Sequence, residues 1–373
     1  MTRPITLFTG QWADISLDEL CREIRRKDIK LDGLELACWG DHFDVEAAAG
    51  ITVEQYLSGK RDSDSSARDY CKLKHEALAK FDLRCWAISN HLVGQATLDL
   101  IDPRNMSILP DCVKGSDTIT VRPGFPGYDT DAAFRVNNRA CAHMALAAIA
   151  ARNFSDAGDS PTRAVVNGFT GSSTWALNYD FPPAPRQMYE AGYQLLADRW
   201  HPILDEFEAR NAVFALEVHP TEIAFDIVTA EESLKALGNR KEFGFNFDPS
   251  HLVYAVVDPL EFLRRFRDRI YHVHAKDATV GEGNGTVSVL NNGPTRFGDP
   301  IRFWNFKSVG RGNVNFARIM EVLTQIEYVG PISIEWEHQG MDRFHGLEES
   351  LEMLQDLDYP TSFKAFDAAF AAN

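Results

Sequence analysis

Short apolar runs of the β-strand type alternate with longer runs of helical periodicity along the whole chain, and this alternation most constrains the fold. Neighbouring parallel strands need a crossover helix between them, so strict alternation predicts a parallel sheet covered by helices. Eight such units close into a (β/α)8 barrel. The eight predicted strands are residues 5–9, 33–38, 84–89, 164–169, 213–218, 243–247, 270–274 and 331–336. The predicted helices are residues 17–27, 65–80, 131–152, 185–210, 230–237, 259–267, 316–326 and 347–357.

The connections between these runs fit a TIM barrel with long strand-to-helix loops over its catalytic face. Helix-to-strand links are short, as at residues 211–212, whereas strand-to-helix links are long after the second, third, fourth and seventh strands. A typical barrel needs only ~250 residues, and its strand-to-helix loops share the face where active sites form. We therefore expect one domain over residues 1–373 with lid-like insertions at about 40–65, 91–130, 170–184 and 277–315. An open doubly wound sheet is the second candidate fold, but no GxGxxG follows an early strand.

The chain is acidic, with 54 Asp and Glu against 38 Lys and Arg and a formal charge of -16. Such a charge repels a phosphate backbone, so we expect a small sugar or cyclitol substrate and no nucleic-acid partner. The first residues lack the apolar core of a signal peptide and no run of about 18 apolar residues occurs, so we predict a cytoplasmic protein without a membrane partner. The six cysteines are scattered without a CxxC pair, which indicates reduced thiols. A homo-oligomer is compatible with this composition.

Four of the predicted strands end in a carboxylate or an imidazole. Glu217 ends the fifth strand, Asp248 follows the sixth, His274 ends the seventh and Glu335 lies in the eighth. A closed barrel brings these strand ends around one point near its axis. Carboxylates that close repel one another, and a divalent cation relieves the repulsion. Three carboxylates and one histidine favour Mn²⁺ or Mg²⁺, with Co²⁺ and Zn²⁺ as further candidates.

Each of these residues also has an ordinary structural interpretation. A Glu at a strand end often anchors a loop, and Asp248 before a proline is typical of a helix N-cap. His272 and His274 lie two apart and share one face of a strand, and we favour His274 as the ligand because it is nearer the strand end. Glu337 shares the side of Glu335 in the same way, and we favour Glu335.

Four sequence segments around these side chains resemble the sugar phosphate isomerase/epimerase family of the xylose-isomerase-like TIM barrel superfamily. They are EVHP at 217–220, DPSH at 248–251, HVHAKD at 272–277 and IEWE at 334–337. The resemblance covers essentially the whole chain and is strongest over residues 212–338. It implies the same fold, and an enzyme that isomerises or epimerises sugars.

The resemblance also implies roles for individual residues. It implies that His251, three residues past the aspartate ligand, contacts the substrate or holds a metal-bound water. Ketose epimerases of the family carry an arginine after the histidines of the seventh strand, where this chain has Lys276 and then a long insertion. One divalent metal is implied on Glu217, Asp248, His274 and Glu335.

A divalent ion chelated by a carbonyl and its neighbouring hydroxyl favours loss of a proton from the adjacent carbon through an enediolate. Glu217 and Glu335 are the candidate bases, with His251 as a third catalytic candidate and Lys276 as a donor to sugar oxygens. His219, two residues past Glu217, is a candidate for touching the substrate or orienting its neighbour. We therefore expect a metal-dependent isomerase or epimerase acting on a keto-sugar or cyclitol.

Further candidate residues lie at the predicted mouth and in the last insertion. His91 and Trp39 are candidates for substrate binding. The insertion at 277–315 resembles those of enzymes that act on oxidised glycosides, so a lyase that eliminates the aglycone from a 3-keto-glycoside by the same enolisation is the first alternative. Three cations of this insertion are candidates for binding a sugar phosphate: Arg296, Arg302 and Lys307.

Two other classes of function are disfavoured by the sequence. A hydrolase resembling the apurinic endonucleases of the same superfamily would have to grip DNA, which the acidic charge opposes, and would need more histidines. A barrel that only binds carbohydrate would not need four side chains of the metal-ligand type.

Overall fold

The computed structural model describes residues 3–158, 163–179, 181–289, 295–360 and 368–370. The strands within these ranges are β1 (Ile5–Phe8), β2 (Gly33–Ala37), β3 (Arg84–Ser89), β4 (Ala164–Gly168), β5 (Ala212–Glu217), β6 (Phe243–Phe247), β7 (Ile270–Ala275), β8 (Asp277–Val280), β9 (Trp304–Lys307) and β10 (Ile332–Ile334). A closed parallel barrel is formed in the order β1, β10, β7, β6, β5, β4, β3, β2. This confirms the predicted (β/α)8 fold, and every barrel strand overlaps a predicted strand.

The helices alternate with these strands and include several short ones. They are α1 (Leu17–Arg26), α2 (Val45–Ala49), α3 (Val53–Leu57), α4 (Ser65–Ala79), α5 (His91–Gln95), α6 (Pro103–Ile108), α7 (Asp111–Lys114), α8 (Thr130–Ala157), α9 (Arg186–Ala209), α10 (Ile227–Ala236), α11 (Pro249–Tyr254), α12 (Pro259–Arg265), α13 (Phe316–Gln325) and α14 (Arg343–Leu357). Single 3-10 turns occur at Gly10–Trp12, Trp175–Leu177, Arg267–Arg269 and Ala368–Phe370. No helix in the described ranges combines the length and apolar character needed to cross a membrane.

The eight predicted helices correspond to α1, α4, α8, α9, α10, α12, α13 and α14. The last begins at Arg343 rather than at residue 347. Asp342 causes this earlier start, because its side chain accepts hydrogen bonds from the N–H groups of Phe344 (3.1 Å) and His345 (2.9 Å). Such an aspartate N-cap satisfies donors that the first helical turn leaves free.

The core surrounds the strands, which are buried on both faces as parallel strands covered by helices are. Every residue of β5 and β6 is buried. Aromatic rings fill the space between these strands and α9, with ring centroids 4.4 Å apart for Trp200 and Phe214 and 5.7 Å for Phe214 and Phe243. Burying a side chain of this size contributes roughly 1.5–3 kcal/mol. This packing fixes the positions of the strand ends that carry Glu217 and Asp248.

Two of the predicted insertions contain short helices that the sequence analysis did not predict. Segment 40–65 contains α2 and α3, and segment 91–130 contains α5, α6 and α7. Of these, α2, α3, α5 and α7 pack against α8. Each has six residues or fewer, too few for helical periodicity to stand out, although a capping box at Thr52 and Gln55 marks the start of α3. The interpretation of these segments as lids of a single domain stays a prediction.

The insertion after β7 contains a two-stranded antiparallel hairpin, β8 with β9, which we call the lid hairpin. Arg302, one of the cations considered for phosphate binding, is buried beside it. Its Nε donates to the carbonyl oxygen of Trp304 at 3.2 Å, and its guanidinium lies 4.3 Å from the centre of the Phe297 ring. Arg302 therefore packs the lid hairpin, and its role in binding a sugar phosphate stays a prediction.

One buried carboxylate, that of Asp277, ties the two ends of this insertion together. Its Oδ1 accepts from the N–H groups of Ala278 (2.8 Å) and Val314 (2.9 Å). Its Oδ2 accepts from those of Gly310 (3.0 Å) and Gly312 (2.8 Å). The backbone comes so close that a Cβ added to Gly312 would lie 2.3 Å from Oδ1 of Asp277. The lid hairpin is thus anchored at its base.

Replacing Asp277 with alanine is expected to lower the free energy of unfolding by about 2–4 kcal/mol, because each buried donor that loses its acceptor costs roughly 1–3 kcal/mol and water satisfies some of them. Urea unfolding measures this change. Asp342→Ala is the matched control, because it removes an aspartate that accepts two backbone N–H groups at a helix start and should cost about 0.5–2 kcal/mol. Equal losses in the two variants would contradict the anchoring role of Asp277.

Candidate active site

Four side chains from four strand ends converge at the carboxyl-end mouth of the barrel: Glu217, Asp248, His274 and Glu335. One donor atom of each lies within 4.8 Å of the others, and all four residues are buried. We call them the ligand cluster. Oδ1 of Asp248 also caps α11 by accepting from the Ser250 N–H at 2.8 Å. The N-cap interpretation of Asp248 is therefore confirmed, while its other oxygen, Oδ2, faces the cluster and its role as a metal ligand stays a prediction.

The imidazole of His274 lies in this cluster, while that of His272 lies deeper in the barrel. Nδ1 of His274 is 3.0 Å from Oε2 of Glu335 and 3.4 Å from Oε2 of Glu217. Nε2 of His272 is instead 2.7 Å from Oε2 of Glu35. The two rings share one face of β7 but differ in depth, since a strand rises ~3.3 Å per residue.

Lys276, between β7 and the lid hairpin, places its ammonium group among the carboxylates. Its Nζ lies 2.9 Å from Oε2 of Glu335, 3.1 Å from Oδ2 of Asp248 and 3.3 Å from Oε2 of Glu337. The lysine side chain is buried. Glu337 thus contacts the lysine at the edge of the cluster. The role of Lys276 as a donor to sugar oxygens stays a prediction.

Three further histidines surround the cluster. Nε2 of His91 lies 3.0 Å from Oε2 of Glu217, and Nε2 of His251 lies 3.1 Å from Oε1 of the same carboxylate. His251 also approaches Oδ2 of Asp248 at 3.3 Å. His219 lies one layer further out, with its ring edge-on to that of His251 at a centroid distance of 4.1 Å. His91 and His251 are therefore the histidines placed to act on Glu217.

Aromatic rings form part of the wall of the mouth. Trp39 lies edge-on to His91, with ring centroids 6.3 Å apart, so it is separated from the cluster by that histidine. Phe306 of β9 covers the opposite side. Its ring centre is 4.7 Å from Nζ of Lys276 and its centroid is 5.3 Å from that of His251. Phe306 was not predicted to be part of the site, because the two short strands of the lid hairpin lie far apart in sequence within the insertion.

Two polar residues of the site were also missed, Glu35 and Gln11. Gln11 donates from Nε2 to Oε1 of Glu335 at 2.8 Å, and Oε1 of Glu35 lies 3.0 Å from Nε2 of His274. A single carboxylate inside the otherwise apolar run GLELA was an available signal for Glu35, because a buried charge needs a partner. Gln11 follows β1 in a polar segment and carried no comparable signal.

Burial and crowding shift the pKa values of the cluster in opposite directions. Burial raises the pKa of Asp248 to about 7, opposed by Lys276 and reinforced by the charges of Glu217 and Glu335. Burial also acts to raise the pKa of Glu335, but Lys276 and His274 together outweigh it and the value falls to about 2. Burial, reinforced by Lys276, lowers the pKa of His251 to about 4. The cluster therefore combines negative charge in excess of its one lysine with a histidine that is neutral near pH 7.

A buried carboxyl group beside the mouth, that of Glu222, joins the loops after β4 and β5. Its Oε2 accepts from the N–H groups of Thr170 (2.7 Å) and Gly171 (2.6 Å). Burial, reinforced by the charge of Asp99, raises the pKa of Glu222 to about 8. The folded protein therefore binds a proton here that an unfolded chain releases at about pH 4.3.

Stability should reflect this raised pKa of Glu222. The contribution is fully present below about pH 4.3 and is lost as the pH rises through about 8, because the folded state then no longer retains the extra proton. Between about pH 5 and pH 8 the unfolding free energy of wild type should fall more than that of Glu222→Gln, whose side chain is neutral throughout. The difference between the two falls should exceed about 1 kcal/mol, since one pKa unit corresponds to about 1.4 kcal/mol. Urea unfolding of both proteins at the two pH values measures this. Parallel losses would contradict the assignment.

Solved structures share this fold at low sequence identity. The 3-keto-D-glucoside 4-epimerase YcjR of E. coli has a TM-score of 0.58 and 12% identity, and the comparison covers 95% of this chain and 99% of that one. The probable 3-DHS dehydratase AsbF of Bacillus anthracis has a TM-score of 0.56 and 16% identity, covering 94% and 98%. A xylose isomerase-like TIM barrel protein from Mycobacterium smegmatis, solved in complex with magnesium, has a TM-score of 0.55 and 13% identity, covering 95% and 96%.

Curated relatives match over shorter stretches. YfiH of Bacillus subtilis (strain 168), an uncharacterized protein, is 26% identical over 199 residues, which are 52% of this chain and 61% of that protein. An inosose dehydratase of Clostridium botulinum (strain Eklund 17B / Type B) is 35% identical over 91 residues, 24% of this chain and 29% of the enzyme. The chain thus spans less than two thirds of the length of either relative.

The model of the xylose isomerase-like TIM barrel family matches residues 156–357, more than half of the 373-residue chain. The matched region includes the whole ligand cluster. On the strength of this match and of the closed barrel, the chain belongs to the xylose isomerase-like TIM barrel family.

Proposed function

We propose that this chain is a divalent-metal-dependent enzyme that removes a proton from the carbon beside the carbonyl group of a keto-sugar or cyclitol, through an enediolate. Return of the proton to another carbon or face completes an isomerisation or epimerisation. One observation carries the proposal: donor atoms of Glu217, Asp248, His274 and Glu335 lie within 4.8 Å of one another. Barrels of this type carry their catalytic residues on the face where this cluster lies.

The donor chemistry of the cluster supports a divalent ion. Three carboxylates and one imidazole suit Mn²⁺ or Mg²⁺ best and also accept Co²⁺ or Zn²⁺. Within the described residues, Oδ2 of Asp248 has an ion-pair contact with Lys276 but accepts no hydrogen bond of good geometry. The pKa of Asp248, raised to about 7 by burial, indicates negative charge that a further cation would stabilise. The magnesium complex of the Mycobacterium smegmatis barrel is consistent with this choice.

A bound divalent ion would supply polarisation of the substrate carbonyl and stabilisation of the negative charge that develops as the proton leaves. The protein would supply the proton acceptors. Glu217 and Glu335 lie at the ends of β5 and β10, on two sides of β6 and β7. Lys276 and His274 together outweigh burial and lower the pKa of Glu335 to about 2. Contacts with His251, His274 and His91 likewise outweigh burial and hold the pKa of Glu217 well below its usual range. Both carboxylates are therefore ionised, as a proton acceptor must be.

The remaining side chains would hold the substrate and move protons. His251 is neutral near pH 7 and contacts both Glu217 and Asp248, so it is placed to relay a proton between the substrate and these carboxylates. Lys276 is a permanently charged donor for substrate oxygens. His91, His219 and Trp39 would form a wall of the substrate pocket, because their rings lie around the cluster.

Elimination is the second candidate function. The 91-residue match to inosose dehydratases at 35% identity favours it, because a dehydratase breaks the same type of C–H bond beside a carbonyl. The two electrons of that bond then form a C=C bond while the neighbouring C–O bond breaks. The leaving hydroxyl or alkoxide takes up the proton that the carboxylate base removed, and His251 is placed to relay it. An aglycone on a 3-keto-glycoside would leave in the same way.

Hydrogen exchange in D₂O tests the proposal. The protein, stripped of metal and then reloaded with Mn²⁺ or Mg²⁺, is incubated in D₂O with a ketohexose, an inosose or a 3-keto-glucoside. We expect deuterium beside the carbonyl of one substrate class only in the loaded protein. An isomer or epimer as the product would support the first function, whereas an unsaturated product that has lost water or the aglycone would support elimination. Equal exchange in stripped and loaded protein would overturn the metal-dependent mechanism.

A further inference from the structure

We propose that Glu35 is a positioning residue for the metal ligand His274, fixing the tautomer and the direction of its imidazole. The inference rests on the proposed function, because it assigns a partner to one of the four proposed ligands. Glu35 lies in the middle of β2, is 1% exposed and lies inside the barrel rather than at its mouth. It therefore has no route to the substrate except through other side chains.

The two ring nitrogens of His274 face different partners. Nε2 lies 3.0 Å from Oε1 and 3.1 Å from Oε2 of Glu35. Nδ1 lies on the other side of the ring, 3.0 Å from Oε2 of Glu335 and 3.4 Å from Oε2 of Glu217. Both nitrogens face carboxylates, which can only accept, so without a metal both carry a proton. A divalent ion would replace the proton of Nδ1, and the contact with Glu35 then keeps the remaining proton on Nε2. In a neutral imidazole this leaves the lone pair of Nδ1 pointing at the ligand cluster, as metal binding requires.

Glu35 is itself held from three other strands. Asn167 of β4 donates from Nδ2 to Oε1 at 2.7 Å, the hydroxyl of Ser89 at the end of β3 donates to the same oxygen, and Nε2 of His272 on β7 contacts Oε2 at 2.7 Å. These partners fix the carboxylate without touching the ligand cluster. The ring of Phe8 stacks on that of His274 with centroids 5.1 Å apart and so constrains its plane as well. Phe8 therefore constrains the plane of the His274 ring, while Glu35 fixes the direction of the ring within that plane and the choice of nitrogen.

A purely structural ion pair between Glu35 and the histidines is the competing explanation. It predicts that removing the charge of Glu35 lowers stability and leaves the metal affinity of the folded protein unchanged. A positioning role predicts a specific loss of metal affinity. Replacing carboxylates that orient metal-binding histidines typically weakens metal binding 10–100-fold. Metal affinity of folded protein therefore separates the two explanations.

The test compares Mn²⁺ binding to wild type and to the full-length variants Glu35→Gln and Glu35→Asp by isothermal titration calorimetry, at a temperature where circular dichroism shows each to be folded. We expect Glu35→Gln to bind Mn²⁺ about 10–100-fold more weakly, and Glu35→Asp, which keeps the charge, to recover part of the loss. His272→Asn is the matched control. It removes one of the three partners that hold Glu35 and leaves Asn167 and Ser89 in place, so its Mn²⁺ affinity should fall less than that of Glu35→Gln.

Unchanged Mn²⁺ affinity in Glu35→Gln, with tight binding by wild type, would overturn the role of Glu35 and leave the proposed function intact. An equal loss of Mn²⁺ affinity in His272→Asn would also overturn the role of Glu35. The loss would then follow from disturbing any member of the buried hydrogen-bond network. If wild type itself bound no divalent ion, the proposed function and this inference would fall together.

A measurement on the wild type keeps the inference testable if the variants do not fold. In ¹⁵N-histidine-labelled, Mg²⁺-loaded protein, the nitrogen chemical shifts of His274 should identify Nε2 as protonated and Nδ1 as unprotonated. The opposite assignment would contradict the inference directly, because Glu35 would then face a nitrogen with no proton to donate.

Discussion

Replacing Asp248 with alanine is expected to weaken Mn²⁺ binding by at least about 100-fold and to lower turnover by about 10³-fold or more, while the protein stays folded. The change removes an oxygen donor outright, whereas loss of a residue that merely supports a ligand already costs 10–100-fold. Residues at this face of a barrel serve chemistry more than stability, so folding should survive. Calorimetric titration with Mn²⁺, with far-UV circular dichroism to verify folding, measures the effect.

The chain offers a close control for this variant in Asp258. Both aspartates precede a proline at a helix start and cap the helix through the N–H two residues on, at 2.8 Å for Ser250 and 2.8 Å for Leu260. Only Asp248 faces the ligand cluster. Asp258→Ala should therefore cost about 0.5–2 kcal/mol of stability and leave Mn²⁺ binding unchanged. Normal metal binding by Asp248→Ala would show that the ligand assignment is wrong.

Replacing Lys276 with methionine is expected to destabilise the metal-free protein by about 3–5 kcal/mol, the usual cost of removing one partner from a buried ion pair. The ammonium lies within 3.3 Å of three carboxylates, and no other lysine or arginine of the described ranges forms an ion pair with them. Because a divalent cation would offset the same negative charges, saturating Mn²⁺ or Mg²⁺ should recover much of the lost stability by preferential binding to the folded state. Thermal and urea unfolding with and without the ion measure both effects.

Lys307→Met is the matched control for this prediction, because Lys307 lies on β9 of the lid hairpin and outside the cluster. The unfolding free energy of Lys307→Met should differ from that of wild type by less than about 0.5 kcal/mol, as is usual for substitutions away from buried ion pairs and the core. If Lys276→Met is as stable as wild type without metal, the carboxylates do not repel one another as argued here. If it is unstable but gains nothing from a divalent ion, the ion binds elsewhere.

The fold could be predicted from the sequence because barrel geometry repeats along the chain. Each strand such as β5 is a short apolar run followed by a helix with its own periodicity, so the signal accumulates over successive units. The strand ends that carry Glu217 and Asp248 could be placed on one face of the barrel for the same reason, since parallel strands share one carboxyl-end face. The family match and the closed barrel confirm the predicted fold.

Two kinds of feature could not be predicted from the sequence: how deep a side chain lies in the barrel, and which residues far apart in sequence are in contact. Alternation along β7 places His272 and His274 on one face, and only nearness to the strand end favoured His274, because depth in the barrel also depends on how neighbouring strands are staggered. Glu35 is 237 residues from His272 in sequence, and only the closed barrel brings the two together. The lid hairpin was missed because its two short strands are separated by a long glycine-containing segment rather than by a tight turn.

The central claim is that Glu217, Asp248, His274 and Glu335 bind one divalent ion, and anomalous X-ray diffraction from crystals grown with Mn²⁺ tests it most directly. The account predicts a single strong anomalous peak within about 2.0–2.6 Å of a donor atom from each of the four residues, the range of such bonds. An anomalous peak surrounded by other residues would contradict this claim. So would the absence of a peak at a saturating Mn²⁺ concentration with the carboxylates still paired to Lys276.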